Sequence, residues 1–326
     1  MALTLGVQPW LRAQSGPAVH WRWRGGPTMR SCATALPPAS WRWWVHSSRV
    51  SGQGLTVFDA LILGLVQGFT EFVPVSSSAH LVLVPEFFGI PAPTVAFDVL
   101  VHLATLVAVV GYFIGDVSKM VTSIVAPKRL SRQEVKYWRR MIVWLVIGSI
   151  PAALAGLILG DFFEELFSST LAVGVFLVVT SGLLWGADFA LGRFKREPAG
   201  VEKLRGADAL VVGCFQALAI APGISRSGAT MSAGVFLGFD RASAAHFSFL
   251  LSIPVIFGAF LFKVKDIGEA VGSGSGLAYL IGAIAAGISG FVAIYFVMRY
   301  VRNHRFRVFA IYTLALGLFV ILLSLV

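Results

Sequence analysis

Apolar residues run for the length of a membrane crossing at six places along the chain: 95–115, 140–160, 169–191, 244–263, 277–298 and 306–326. A spanning helix needs about 20 mainly apolar residues, so the pattern predicts six full transmembrane helices. Two other stretches, 58–88 and 207–238, are apolar at both ends and polar in the middle. Pro74 with Ser76, Ser77 and Ser78 interrupts the first, and Pro222-Gly223 followed by Ser225, Arg226 and Ser227 interrupts the second. Non-helical backbone at membrane depth is tolerated only where it is buried in protein or lines a wet cavity. Each interrupted stretch therefore reads as a re-entrant helix-loop-helix. The predicted fold class is an all-α polytopic membrane protein.

The polar residues between crossings orient them, because Lys and Arg accumulate in cytoplasmic loops. Lys119, Lys128, Arg129, Arg132, Lys136, Arg139 and Arg140 put the first long loop inside, whereas Asp161, Glu164 and Glu165 suit the outside. Arg193, Lys195, Arg196, Lys203 and Arg205 mark a second inner loop, and Arg299, Arg302, Arg305 and Arg307 a third. On this count the first interrupted segment opens outward, the second opens inward, and three crossings follow each. That arrangement is an inverted-topology repeat whose broken segments meet near the midplane, with repeat one at 57–195 and repeat two at 205–326. Gly148, Ala152, Gly156 and Gly160 recur at four-residue spacing in one half, as do Gly282, Ala286 and Gly290 in the other. Small residues so spaced predict close helix approach.

Composition narrows the class. Of 326 residues, 57% are hydrophobic and only 13% charged, and the mean hydropathy is +0.81; soluble domains carry about a quarter charged residues. One membrane domain over 56–326 follows, with no detachable soluble domain. The net charge of +10 lies in short loops and in residues 1–55 rather than on an aromatic-interleaved face, so nucleic acid is not an expected partner. Residues 1–55 hold many Trp and Arg and no Asp or Glu, and lack the apolar core of a signal peptide. They are expected to be a disordered extension or the product of an upstream start. The two cysteines, Cys32 and Cys214, give no disulfide framework or metal-ligand spacing.

The interrupted segments also carry the chemistry, and they echo each other. Gly64 precedes Gln67 by three positions as Gly213 precedes Gln216, and the serines begin nine positions after each glutamine, at Ser76 and Ser225. Ionisable groups at bilayer depth cost about 2.5–3.5 kcal/mol each on insertion scales, so Glu71, His80 and Arg226 demand a function. Gln67 and Glu71 are four apart and share a helix face, where they can hold a hard divalent cation or position a water. Ser225, Arg226, Ser227, Gly228 and Thr230 combine hydroxyls, a helix N-terminus and a guanidinium, which together suit a phosphate. Ser76, Ser77 and Ser78 put hydroxyls near His80, a candidate general acid or base. Asp98 and His102 form a further acid-base pair on the first crossing, expected to support the site. No Walker loop, zinc signature or dinucleotide fingerprint is present.

The run Gly64, Gln67, Gly68, Phe69, Thr70, Glu71, Phe72, Val73, Pro74, Val75, Ser76, Ser77 with His80, and the run Pro222 to Thr230, resemble the undecaprenyl-pyrophosphate phosphatase family, also called bacitracin-resistance proteins. The resemblance covers about residues 57–326. It implies hydrolysis of a C55 polyprenyl diphosphate to the monophosphate, regenerating the lipid carrier for cell-wall polymers, in the bacterial plasma membrane with the site open toward the outer face. It further implies Glu71 and Gln67 as ligands of a divalent cation (Mg2+ or Ca2+), and Ser77 and His80 as the groups of direct chemistry. Arg226 with Ser225, Ser227, Gly228 and Thr230, and Ser76 from the first segment, would grip the diphosphate. The family has Glu or Gln at the Gln67 position. Whether Ser77 is a covalent nucleophile or orients water, and whether His80 is acid or base, stays open at this level, as does the oligomeric state, with a homodimer one expectation. The rival reading is a polyprenyl-phosphate flippase or transporter, which shares inverted repeats and broken helices.

Overall fold

The computed structural model describes residues 54–193, 199–270 and 276–325. The Trp- and Arg-rich extension lies outside the described residues up to position 53, as do Lys195 and Arg196 of the second basic loop. Among the described residues the fold is almost wholly helical. In chain order the helices are α1 Val57–Phe72, α2 Ser77–Phe88, α3 Val95–Tyr112, α4 Ile114–Val125, α5 Arg132–Phe167 and α6 Thr170–Arg193, then α7 Gly206–Leu218, α8 Arg226–Phe236, α9 Arg241–Ala270, α10 Gly276–Asn303 and α11 Arg307–Leu325. Six of them, α3, α5, α6, α9, α10 and α11, are long and apolar enough to cross a membrane. They coincide with the six predicted crossings. Large apolar side chains such as Val107, Ile158, Phe262, Ile288 and Leu322 stand exposed on them, as helices facing lipid require.

The two interrupted segments are short helix pairs. The Thr56 side chain and Asp59 form a reciprocal capping box that starts α1, and α1 ends where the chain turns extended at Val73. After four residues, Ser76 caps α2. In the second segment α7 ends at Leu218, and Ser225 caps α8 through a bond from the Gly228 amide to its hydroxyl, 3.1 Å. Gly223 sits at φ 100°, a conformation an L residue rarely adopts, and a Cβ there would meet the Val173 carbonyl.

Glycines set how closely these pairs are embraced. A side chain at Gly64 on α1 would collide with the backbone of Gly282 on α10, and one at Gly213 on α7 would collide with the backbone of Gly148 on α5. Gly68 is likewise pressed against Ala286 and Ser289. The small-residue positions on α10 are therefore all in contact, with Gly290 against Phe72 and Ala108. On α5 only the start of the stripe is used that way. Gly156 and Gly160 meet nothing within 4 Å, because the partner, α7, packs against the earlier part of α5 around Gly148.

The structure adds one element that the hydropathy pattern does not mark. Residues between the first and second crossings, read as a basic loop, contain α4, which buries Met120 and Ser123 on one side. It is fixed at its far end by Arg139, whose guanidinium donates to the Ser123 carbonyl at 2.9 Å. The central core runs from Phe72, which meets Phe249 edge-on at 5.5 Å, through Leu250, Leu251, Met231 and Ile294. It seats the turns of both helix pairs against the long helices.

Candidate active site

Glu71 lies in the last turn of α1, one turn after Gln67, and both are buried. Its carboxylate is the hub of the site. Oε2 accepts from the Ser77 hydroxyl at 2.6 Å and from Gln67 Nε2 at 3.1 Å, while Oε1 accepts from Arg226 Nη2 at 2.7 Å. Ser77 begins α2 and Arg226 begins α8, so one carboxylate ties three helix ends from two distant stretches of sequence. His102 on α3 approaches the same carboxylate, its Nε2 3.8 Å from Oε2, while its Nδ1 donates to the Asp98 carbonyl at 2.7 Å.

The two turns also touch directly. Ser227 Oγ donates to the Val73 carbonyl at 3.3 Å, and the Gly223 amide donates to Ser78 Oγ at 3.4 Å. Gly228 lets α8 approach Pro74, whose Cβ would stand 3.4 Å from any side chain placed there. Behind the second turn, Thr180 on α6 donates its hydroxyl to the Gly223 carbonyl at 2.9 Å and accepts the Ser225 amide at 3.0 Å. A single threonine thus satisfies two backbone groups that the turn leaves out of any helix.

Not every sequence candidate meets the carboxylate. Gln67, Glu71, Ser77 and Arg226 converge. Ser76, Ser225 and Gly228 shape the turns: Ser76 Oγ contacts Ser78 Oγ at 3.1 Å, and Ser76 is the one non-glycine residue at positive φ, 72°, among the described residues. Thr230 faces the other way. Its hydroxyl donates to the Arg226 carbonyl at 2.8 Å and contacts Ser248 Oγ of α9 at 2.6 Å, which commits it to helix packing. His80 is buried one turn after Ser76, and its partners are the Ser76 carbonyl and the hydroxyl of Tyr312, each at 2.7 Å. Tyr312, Thr180 and Ser248 escaped the sequence reading. Their only signal there is a hydroxyl inside an apolar run, which many structural residues share.

The arrangement is electrostatically specific. The Arg226 side chain is 14% exposed and that of Glu71 only 6%, so neither charge has much water and each is stabilised chiefly by the other. Arg226 Nη1 and Gln67 Oε1 are buried without a partner among the described residues. An unmet guanidinium N–H beside a carboxylate-held Nη2 is a fork with one prong open, and phosphoryl oxygens fit such a fork. For a hard cation the donors are Glu71 and the Gln67 oxygen. Among the described residues no three His, Cys, Asp or Glu side chains gather to hold an ion unaided. The donor set fits an ion whose other ligands are phosphoryl oxygens and water, the usual manner of Mg2+.

Comparison with known proteins places the chain in a family. A family model described as bacitracin resistance protein BacA matches residues 60–319. The chain is 42% identical over 266 residues to the undecaprenyl-diphosphatase of Gemmatimonas aurantiaca, covering 82% of this chain and 97% of that one. It is 42% identical over 268 residues to that of Desulforudis audaxviator, covering 82% and 98%, and 38% identical over 282 residues to that of Methanosphaera stadtmanae, covering 83% and 99%. All site residues named above fall within the matched span. The chain belongs to the BacA family of bacitracin resistance proteins, and it is a multi-pass membrane protein.

Proposed function

We propose that the protein is an undecaprenyl-diphosphate phosphatase, which hydrolyses the C55 lipid diphosphate to the monophosphate and inorganic phosphate. The observation that carries this reading is the junction of Glu71, Ser77 and Arg226 where the two helix pairs meet, in a chain whose relatives bear that activity in their names. A hydroxyl bonded to a carboxylate is a nucleophile beside a base, and a half-engaged arginine is a phosphate clamp. Their coincidence suits phosphoryl transfer, which consists mostly of positioning and charge neutralisation.

In the proposed reaction the diphosphate draws Arg226 away from Glu71 onto its own oxygens. Glu71 is then released from the ion pair to take the Ser77 proton. Ser77 Oγ attacks the terminal phosphorus as the bond to the bridging oxygen breaks, and the lipid monophosphate leaves carrying that oxygen. Water then cleaves the phosphoserine, freeing inorganic phosphate and restoring the serine hydroxyl. The α8 N-terminus faces its partial positive charge toward the bound anion, and Ser225 and Ser227 keep that terminus and its turn in shape. His80 is the group proposed to return or accept a proton near the bridging oxygen. A divalent ion held by Glu71 and Gln67 would, when bound, neutralise phosphoryl charge.

The wider architecture follows the same proposal. The pairs α1–α2 and α7–α8 are re-entrant hairpins of two inverted repeats, inserted from opposite leaflets of the bacterial plasma membrane, with the site open to the outer face and the polyprenyl tail lying among the helices. The reciprocal packing of Gly64 on Gly282 and Gly213 on Gly148 supports the repeats, since each hairpin leans on the second crossing of the other half.

The test is phosphate release from C55 diphosphate by the purified protein, with and without chelator. Glu71→Ala and Arg226→Ala are expected to lose at least about a hundredfold in kcat. Wild-type turnover in both variants would defeat the site assignment. Lipid translocation without phosphate release would favour the flippase reading.

A further inference from the structure

We propose that Tyr312 is a positioning residue for His80, holding its ring and its proton-accepting nitrogen in place; this rests on the reading of His80 as the proton-handling group. The geometry begins at Ser76. Its carbonyl accepts both the His80 amide, at 3.3 Å, and the His80 Nδ1, at 2.7 Å. A carbonyl can only accept, so Nδ1 carries a hydrogen. A neutral imidazole has one donor and one acceptor, which leaves the lone pair on Nε2. That nitrogen lies 2.7 Å from the Tyr312 hydroxyl, which donates to it.

Both ring nitrogens are therefore committed, and the one able to take a proton is turned toward α11. His80 makes no hydrogen bond to Glu71, Ser77 or Arg226. Any proton that reaches Nε2 must displace the Tyr312 hydroxyl or pass beside it. The two rings are also stacked, with centroids 5.8 Å apart and planes 10° from parallel. Seven residues further along both helices Phe87 meets Phe319 at 5.9 Å, so α2 and α11 are bridged by two aromatic pairs. Of the two, the His80–Tyr312 pair alone carries a hydrogen bond.

The competing explanation is that Tyr312 only packs α11 against α2. Replacing it by Phe separates the two, because the stacked ring remains and the hydroxyl goes. Tyr312→Phe is expected to lower kcat about tenfold, the worth of one well-made hydrogen bond, with KM nearly unchanged. The double variant His80→Ala with Tyr312→Phe is expected to be no slower than His80→Ala. Nitrogen-15 spectra of the His80 ring in nanodiscs should show hydrogen on Nδ1 in both proteins, since the Ser76 carbonyl sets it, and an Nε2 resonance displaced in Tyr312→Phe by loss of the hydroxyl's hydrogen bond. Wild-type kcat together with an unchanged ring spectrum in Tyr312→Phe would overturn the proposal, and so would additive losses in the double variant. Failure of the wild type to release phosphate would instead strike the phosphatase reading, leaving the ring spectrum to judge Tyr312.

Discussion

Glu71 and Arg226 form an ion pair in surroundings that give neither charge much water. Removing one member of such a buried pair costs about 3–5 kcal/mol because the other charge is stranded. Glu71→Ala is therefore expected to lower the melting midpoint clearly, and Glu71→Ala combined with Arg226→Ala to recover most of the loss without recovering activity. A double variant that melts below both single variants would mean that the pair does not act as a unit. Arg226→Lys keeps the charge and loses the planar fork. Its kcat on C55 diphosphate should drop about tenfold or more, with little change in melting. At this scale the sequence singled out Glu71 and Arg226, and the structure brings the two together. An ionisable residue inside lipid-grade sequence is costly enough to announce itself, so Glu71, Arg226 and His80 were legible. The orientation of each side chain was not. Thr230 is in the motif yet faces Ser248, and Tyr312 is outside the motif yet completes His80.

Helix packing is decided by backbone proximity at a few glycines. At Gly64 and Gly213 an added methyl would overlap the backbone of a neighbouring helix, which cannot move aside as a side chain can. Gly64→Ala and Gly213→Ala are each expected to shift a helix pair, lowering the melting midpoint and cutting phosphate release, since α1 carries Glu71 and α7 leads into Arg226. Gly156→Ala meets only open space and should be neutral or stabilising by about 0.5–1 kcal/mol through helix propensity. Equal melting midpoints for all three variants would refute this account of the packing. The four-residue spacing of small residues showed where close approach is allowed, but Gly156 and Gly160 demonstrate that allowed is not used. The spacing describes one surface, and a contact needs two. For the same reason α4 went unread: its buried face holds little more than Met120 and Ser123, too short a pattern to separate from a basic loop.

For the molecule as a whole, the proposed orientation rests on where lysine and arginine collect. Single cysteines placed at positions 128–136 are expected to resist membrane-impermeant thiol reagents in intact cells and to react after permeabilisation. Ready labelling in intact cells would reverse the orientation. Candidate crossings could be read along the chain because lipid imposes a length and an apolar composition on every span, and six helices of that kind are present among the described residues. The family was equally legible, since its motifs are contiguous. What the sequence determined alone were the properties each segment carries independently: crossing length, charge bias, and the polar residues too costly to be idle. Tertiary structure decided which of those residues meet. Glu71 and Arg226 are 155 positions apart, and no local rule of periodicity or propensity acts over that distance. Only the packing of α1 on α10 and of α7 on α5, with the two turns between them, brings a carboxylate, a serine and a guanidinium into hydrogen-bond range.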